Sequence, residues 1–164
     1  MHRLLTCAAL VATLALAACG GSDGETDTGA PARTNTIDVK HVNGIGDVLV
    51  DADGRALYTP DQEADGKIHC IDECLNFWMP LDAASGKPTA ADGGGSLDVI
   101  RRPDGDRQVA VDSKPLYTFS EDTPGKVTGD GFKDTFAGQS FTWHVVLADG
   151  GQSDAAGNGG GYGY

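Results

Sequence analysis

Two cysteines four residues apart, with a histidine beside them, are the side chains of this sequence best suited to redox or metal chemistry. They are Cys70 and Cys74, and His69 precedes the first of them. A pair at this spacing on one helical turn lies within bridging distance, and such pairs usually oxidise outside the cytoplasm. Thiolate and imidazole groups are also ligands that suit copper. The cluster therefore predicts a Cys70–Cys74 disulfide, with a copper or thiol-redox site made by His69, Cys70 and Cys74 as the alternative.

An acidic stretch just before this cluster has part of the spacing of a calcium-binding loop. Residues 61–72 place acids at loop positions 1, 3, 5 and 12, and Gly66 at position 6. Pro60 and the strand-like residues 57–59 precede the stretch, where a calcium loop of this type needs the end of a helix. We interpret it as a solvated acidic turn, with weak calcium association as the alternative.

Motifs for hydrolytic or nucleotide chemistry are missing from the sequence. It has no Gly-x-Ser-x-Gly elbow between a strand and a helix, no His-Glu-x-x-His, and no glycine-rich phosphate loop followed by a helix. No spacing selects a pair of carboxylates for acid–base work. We therefore expect neither an enzyme nor a bound cofactor.

The first nineteen residues have the pattern of an exported protein. Arg3 is positive, residues 4–16 are almost wholly apolar, and Ala17 and Ala18 precede Cys19. An apolar run of this length spans about 20 Å as a helix, short of the roughly 30 Å hydrocarbon core, so it is typical of a signal peptide. The end of the run resembles the bacterial lipobox, which implies cleavage after residue 18 and a membrane-anchoring lipid on Cys19.

The charge balance excludes some classes of partner. Twelve basic and 24 acidic residues give a net charge of −12, and removal of residues 1–18, which hold Arg3 and no acid, makes it −13. A field of this sign repels the phosphates of nucleic acids and anionic lipid headgroups. We expect no nucleic-acid partner and a membrane contact through the lipid alone; the envelope partners and the oligomeric state are left open.

The elements that must position these residues are short strands. Residues 19–36 have the composition of a flexible tether, and 150–164, with seven glycines, that of a disordered tail. Between them, 48–50 and 56–58 predict a hairpin, and the runs 97–101, 108–111 and 115–119 predict a meander. The folded part, 37–149, is therefore predicted to be mainly β, with at most one short helix near the cysteine pair, at 72–77.

A short segment occurs twice in the folded part. Residues 55–59, Arg-Ala-Leu-Tyr-Thr, recur as 114–118, Lys-Pro-Leu-Tyr-Thr, and a tryptophan follows each copy, Trp78 and Trp143. Two copies are too few for a solenoid. They predict two related β-meander units, at about 43–82 and 97–149, that pack together with their tyrosines and tryptophans in a shared core.

The repeats resemble the bacterial secreted-repeat lipoproteins of unknown function, described by a Yx(FWY)xxD motif. The second copy fits the motif fully, with Tyr117, Phe119 and Asp122. The first copy has Tyr58, but Pro60 stands where the motif has an aromatic residue and Glu63 where it has Asp. Residues 70–81 also resemble the family, which has a cysteine pair followed by Trp-Pro-Pro-Leu.

This resemblance covers about residues 43–149 and implies location and fold but no activity. With the features of the N-terminus, it leads to one functional expectation. The chain is a lipoprotein of a bacterial cell envelope, anchored on the extracytoplasmic side of a membrane, and acts as a non-enzymatic binding or structural module. A redox or copper-handling lipoprotein that uses His69, Cys70 and Cys74 is the alternative.

Overall fold

The computed structural model of the 164-residue chain describes residues 36–83, 88–90, 94–154 and 162–163. The predicted signal peptide, Cys19 and the tether up to residue 35 lie outside the described residues. Among those that are described, no helix is long and apolar enough to cross a bilayer. Thirteen short strands are present: β1 (Thr36–Val42), β2 (Gly46–Val50), β3 (Tyr58–Pro60), β4 (Trp78–Pro80), β5 (Thr89–Ala90), β6 (Leu97–Arg101), β7 (Arg107–Val111), β8 (Lys114–Pro115), β9 (Tyr117–Phe119), β10 (Lys126–Val127), β11 (Lys133–Phe136), β12 (Gln139–Val145) and β13 (Tyr162–Gly163).

The strands form several small sheets, as the mainly-β prediction requires. The largest has five strands in the order β11-β12-β3-β9-β4, and the others are β2-β1-β5, β6-β7-β8 and β10-β13. All pairs within them are antiparallel except β1 with β5.

The predicted hairpin and meander are both confirmed. Val50 bridges Ala56 across a turn in which the Asp51 N–H donates to the Arg55 carbonyl at 2.9 Å. The meander is formed by β6, β7 and β8, but its third run divides at Leu116. Residues before Leu116 pair with β7, while β9 after it joins the five-stranded sheet, so this run links two sheets.

Helical structure is confined to two single 3₁₀ turns in the described chain. One, Asp72–Asn76, lies where the sequence predicts a short helix. The other, Asp61–Glu63, opens the acidic stretch that the sequence analysis interprets as a turn. Both follow an extended residue and run for less than two turns, so they act as corners between strands.

The described structure continues past residue 149, where the sequence predicts the folded part to end. Gln152 bridges Val146, and Ser153 is buried with its hydroxyl on the Asp130 carboxylate. Further along, β13 pairs with β10. These contacts attach parts of the glycine-rich segment to the second repeat.

Two hydrophobic cores lie on opposite faces of the same strands. Neighbouring residues alternate between them, because successive side chains of a strand point to opposite sides. Tyr58 and Tyr117 enter an aromatic core, and the preceding Leu57 and Leu116 enter an aliphatic one. The aromatic core comprises Val42, Val48, Val50, Ala56, Tyr58, Cys70, Cys74, Trp78, Tyr117, Phe119, Val127, Phe141, Trp143 and Val145.

The aromatic core leaves no room for a side chain at Gly129. A Cβ at this position would lie 2.8 Å from Trp78 Cη2, 3.1 Å from Tyr58 Cε1 and 3.2 Å from Phe119 Cδ1. We expect Gly129→Ala to lower the free energy of unfolding by about 1–3 kcal/mol, because rigid rings must shift to admit the methyl group. Urea unfolding measures this change.

Gly151→Ala is the matched control. Its Cβ would meet an oxygen of the exposed Asp149 side chain, which can rotate away. Equal losses of stability in the two variants would contradict the close packing at Gly129.

Candidate functional site

The two repeat tyrosines are hydrogen-bonded to carboxylates of the opposite repeat. Tyr58 and Tyr117 face each other as a register pair between β3 and β9. Tyr58 Oη donates to Asp122 Oδ2 at 2.5 Å, and Tyr117 Oη donates to Glu63 Oε2 at 2.7 Å. Each acid follows the tyrosine of its own repeat by five residues, yet it accepts from the tyrosine of the other. The two repeats are therefore interlocked.

The same carboxylates fix the loops that follow them. Glu63 Oε1 accepts the backbone N–H groups of His69 and Cys70, both at 2.6 Å. Asp122 Oδ1 accepts the backbone N–H of Thr128 at 2.9 Å and its hydroxyl at 2.6 Å. His69 and Thr128 each lie six residues after their acid. The same arrangement of hydrogen bonds therefore holds both loops.

Burial controls the protonation of these groups. Desolvation, with the neighbouring carboxylate as a second cause, raises the pKa of Tyr58 and that of Tyr117 above the ordinary value of a tyrosine. Burial also raises the pKa of Asp122, although hydrogen bonds from Thr128 and Tyr58 oppose this change. Both phenols therefore keep their protons at neutral pH and act as hydrogen-bond donors.

A stack of four aromatic rings crosses the boundary between the repeats. Trp78 and Trp143 lie face to face with ring centroids 3.9 Å apart and planes 7° apart. Phe119 stacks on Trp78 at 4.3 Å, and Phe141 on Trp143 at 5.6 Å. Both indole N–H groups donate to Asp134, Trp78 to Oδ2 at 2.7 Å and Trp143 to Oδ1 at 3.1 Å. One carboxylate is thereby fixed by two tryptophans.

The predicted Cys70–Cys74 disulfide is confirmed. The two Cα atoms lie 5.4 Å apart, and both residues are fully buried. The buried Arg102 donates from Nη2 to the Cys70 carbonyl at 2.8 Å, which ties the disulfide loop to the second repeat.

This bonding bears on the copper or redox alternative. With the two sulfur atoms bonded to each other and buried, neither is a thiolate that can bind a metal. His69 is exposed, with its backbone N–H on Glu63. Within the described ranges, no three His, Cys, Asp or Glu side chains form a group with metal-binding geometry.

The acidic stretch 61–72 is organised by donors from the protein itself. Glu63 is fully buried and points to Tyr117, Asp61 contacts His144 Nε2 at 3.3 Å, and Asp65 contacts Lys67 Nζ at 2.6 Å. The Lys67 contact lowers the pKa of the Asp65 carboxyl. This geometry is that of an acidic turn and differs from a calcium loop, whose acids all point at a central ion. The prediction that the turn is solvated is wrong for Glu63, which is buried because it accepts hydrogen bonds inside the protein.

An open groove of about 560 Å³ lies above the ring stack. Two of its walls, Phe77 and Phe132, have 46% and 41% of their surface exposed. Phe119 is at the floor, and its ring centroid lies 5.3 Å from that of Phe132. The lining residues are Phe77, Phe119, Glu121, Thr128, Phe132 and Asp134. Three aromatic residues and two acidic residues thus line one volume.

A second groove of about 480 Å³ lies on the far side of Phe77. The ring of Phe77 stacks on that of Phe136 at 5.9 Å, and Phe136 belongs to the lining of the second groove. Its lining residues are His69, Ile71, Asp72, Glu73, Phe136, Ala137 and Gln139. Phe77 and Phe136 form a ridge between two grooves with acidic walls.

The motif residues of the second repeat support the first groove. Phe119 is its floor, Asp122 holds the lining residue Thr128, and Trp143 holds Asp134. The motif residues and the tryptophans are recognisable in the sequence as candidates, whereas the rest of the lining is not: Phe77, Glu121, Thr128, Phe132 and Asp134. The one sequence signal at these positions is the isolated aromatic of Gly131-Phe132-Lys133, which lies in a polar turn.

One segment of the chain matches a known family model. Residues 98–147 match the model of a family described as a secreted repeat of unknown function. The matched segment contains the second tyrosine, its motif acid, Asp134 and Trp143. No curated protein and no solved structure matches the chain. The predicted resemblance to a secreted-repeat family of unknown function is confirmed for this segment, and the family description indicates an extracellular or envelope location.

Removal of one of the two tyrosine–carboxylate hydrogen bonds between the repeats is expected to destabilise both repeats. In Tyr58→Phe, Asp122 Oδ2 loses its donor and the Gly129 N–H loses the acceptor that lies at 3.3 Å. Because Asp122 is buried, we expect the free energy of unfolding to fall by about 1–3 kcal/mol. Denaturant unfolding measures this quantity. A change below about 0.5 kcal/mol, the usual range of surface substitutions, would show that the tyrosine–carboxylate hydrogen bonds between the repeats contribute little to stability.

The raised tyrosine pKa values predict a loss of stability in alkali. Below the ordinary tyrosine pKa of about 10, both folded and unfolded chains keep the phenol protons. Above it the unfolded chain releases them while the folded chain retains them, so each buried tyrosine lowers stability by up to about 1.4 kcal/mol per pH unit. Unfolding midpoints between pH 8 and 11 test this.

The double variant Tyr58→Phe/Tyr117→Phe provides the control for the alkaline measurement. It lacks both buried phenols, so its stability is expected to fall less steeply above pH 10 than that of the wild type. Parallel curves for the two proteins would show that other groups cause the alkaline loss.

Proposed function

We propose that the chain is a lipid-anchored binding module on the extracytoplasmic side of a bacterial membrane, and that the groove above the ring stack is its binding site. The observation that carries this proposal is the pair of exposed phenylalanines, Phe77 and Phe132, beside the fixed carboxylate of Asp134. Exposed apolar rings that converge with a few polar groups in a concave site are typical of ligand recognition.

The features of the N-terminus support the anchoring. The signal-like run 4–16 ends in two alanines before Cys19, and a polar tether separates this cysteine from β1. Two or three acyl chains on one cysteine bind a bilayer firmly, since each buried CH₂ contributes about 0.8 kcal/mol. The secreted-repeat match supports the same side of the membrane.

The burial and hydrogen bonding of the tyrosine and aspartate side chains support a non-enzymatic role. The buried groups with altered proton affinity, Tyr58, Tyr117 and Asp122, are hydrogen-bonded within the protein, so they are positioned for stability rather than for proton transfer to a substrate. Asp134, which does reach the groove, is bonded through both oxygens to tryptophans. A fixed carboxylate among rings is suited to recognition.

A change of Cys19 tests the anchor. The wild-type chain is expected to sediment with membranes and to carry a mass increment for a diacylglyceryl group on its first residue. Cys19→Ser removes the thiol that the lipid is attached to, so we expect this variant in the soluble fraction. Cell fractionation and mass spectrometry of the purified chain measure both outcomes.

Ser22→Ala, three residues further along the tether, is the control and is expected to stay with the membranes. A wild-type chain with an unmodified first residue, found free of membranes, would rule out the anchored module.

Binding at the groove has a direct reporter in the two tryptophans. The chain has only two, and both indole N–H groups donate to Asp134 on the groove wall. A ligand in the groove is expected to shift both indole N–H resonances in a ¹H–¹⁵N spectrum of the full-length lipoprotein in nonionic micelles. A panel of small aromatic compounds that leaves both resonances unmoved would contradict the binding role.

A further inference from the structure

We propose that the groove takes a small organic cation: an ammonium or quaternary ammonium group that carries an apolar substituent. This inference rests on the proposed function and specifies the ligand of the same site. It depends on the charge of the lining, the environment of each carboxylate, and the exposed ring faces.

The titratable groups that line the groove among the described residues are acidic. They are Glu121 and Asp134, and the described lining includes no lysine or arginine. The neighbouring groove beyond Phe77 adds Asp72 and Glu73, and its described lining includes one basic group, His69. The whole chain carries a net charge of −12. An anionic ligand is repelled from this volume, whereas a cation is attracted to it.

The two carboxylates of the groove have no cationic partner in the described part of the chain. Glu121 is exposed and makes no hydrogen bond or ion pair there. Asp134 is bonded to two indole N–H groups, which are neutral donors and leave its negative charge uncompensated. These donors also fix its orientation, so a cation meets a carboxylate that is already in place.

The exposed rings add a second attraction for the same kind of ligand. A cation is drawn to the face of an aromatic ring through the ring's quadrupole. Phe77 and Phe132 present such rings at the walls, and Phe119 closes the floor. An apolar substituent on the cation also removes water from these rings. Rings and carboxylates together therefore favour an amphipathic cation.

Two other ligand classes fit the lining less well. A hydroxyl-rich sugar needs donors as well as acceptors, and Thr128 supplies the one hydroxyl among the described lining residues, where it already donates to Asp122. A protein partner needs a larger surface, because stable interfaces bury about 800 Å² on each side. The volume of about 560 Å³ instead falls in the range of small-molecule sites.

Three probes of similar size and different charge test the proposal on the full-length lipoprotein in nonionic micelles. They are benzyltrimethylammonium, benzyl alcohol and phenylacetate, and the readout is again the two indole N–H resonances. We expect benzyltrimethylammonium to shift both resonances saturably. Benzyl alcohol is expected to bind at least tenfold more weakly, and phenylacetate to leave the resonances unmoved. The affinity for the cation is expected to fall as salt is added.

Variants separate the contributions of charge and rings. Glu121→Gln is expected to weaken binding of the cation about tenfold and to leave that of benzyl alcohol unchanged, since it removes charge and keeps shape. Phe132→Ala is expected to weaken both. Asp98→Asn is the control, because it removes one charge from an exposed position on β6, in another sheet, and is expected to change neither.

The outcomes distinguish this inference from the proposed function. If benzyl alcohol binds as tightly as the cation, or if Glu121→Gln has no more effect than Asp98→Asn, the cationic ligand is wrong while the binding groove stands. If no probe moves either resonance, both proposals fail.

Discussion

The hydrogen bonds Tyr58–Asp122 and Tyr117–Glu63 each join one repeat to the other, and the positions of the remaining elements depend on them. A buried carboxylate without donors is costly, so each acid must lie where the opposite tyrosine can reach it. Its second oxygen then fixes the loop that follows. In the second repeat that loop leads to Thr128 and the groove.

Backbone hydrogen bonds beside the aliphatic core show the same exchange of partners between the repeats. The Leu57 N–H donates to the Leu49 carbonyl and the Leu116 N–H to the Val109 carbonyl, so each repeat forms its own hairpin. The segment that pairs with the other edge of each hairpin comes from the opposite repeat. The Val146 N–H donates to the Leu57 carbonyl, and the Leu81 N–H donates to the Leu116 carbonyl. Both cores therefore contain side chains from both repeats, and neither is complete within one repeat.

Local features were predictable from the sequence, whereas the choice of partners was not. The Asp51–Gly54 turn and the alternation in the strands are encoded by neighbours in the chain, and the disulfide by a spacing of four. The spacing of five between each tyrosine and its acid is compatible with a bond inside a repeat or between repeats. No local sequence pattern marks Asp134 as a site residue, because its hydrogen bond to Trp78 joins residues that are 56 positions apart. The groove depends on such long-range contacts.

The exchange of strands and side chains has a consequence for the symmetry of the molecule. A single copy of the repeat would bury its tyrosine and tryptophan only against a second copy, as in a two-fold symmetric homodimer. Because both copies belong to one polypeptide, they need not be identical: Phe119 stands in one where Pro60 stands in the other. Covalent linkage thus permits one face that carries an aromatic groove instead of two equal faces.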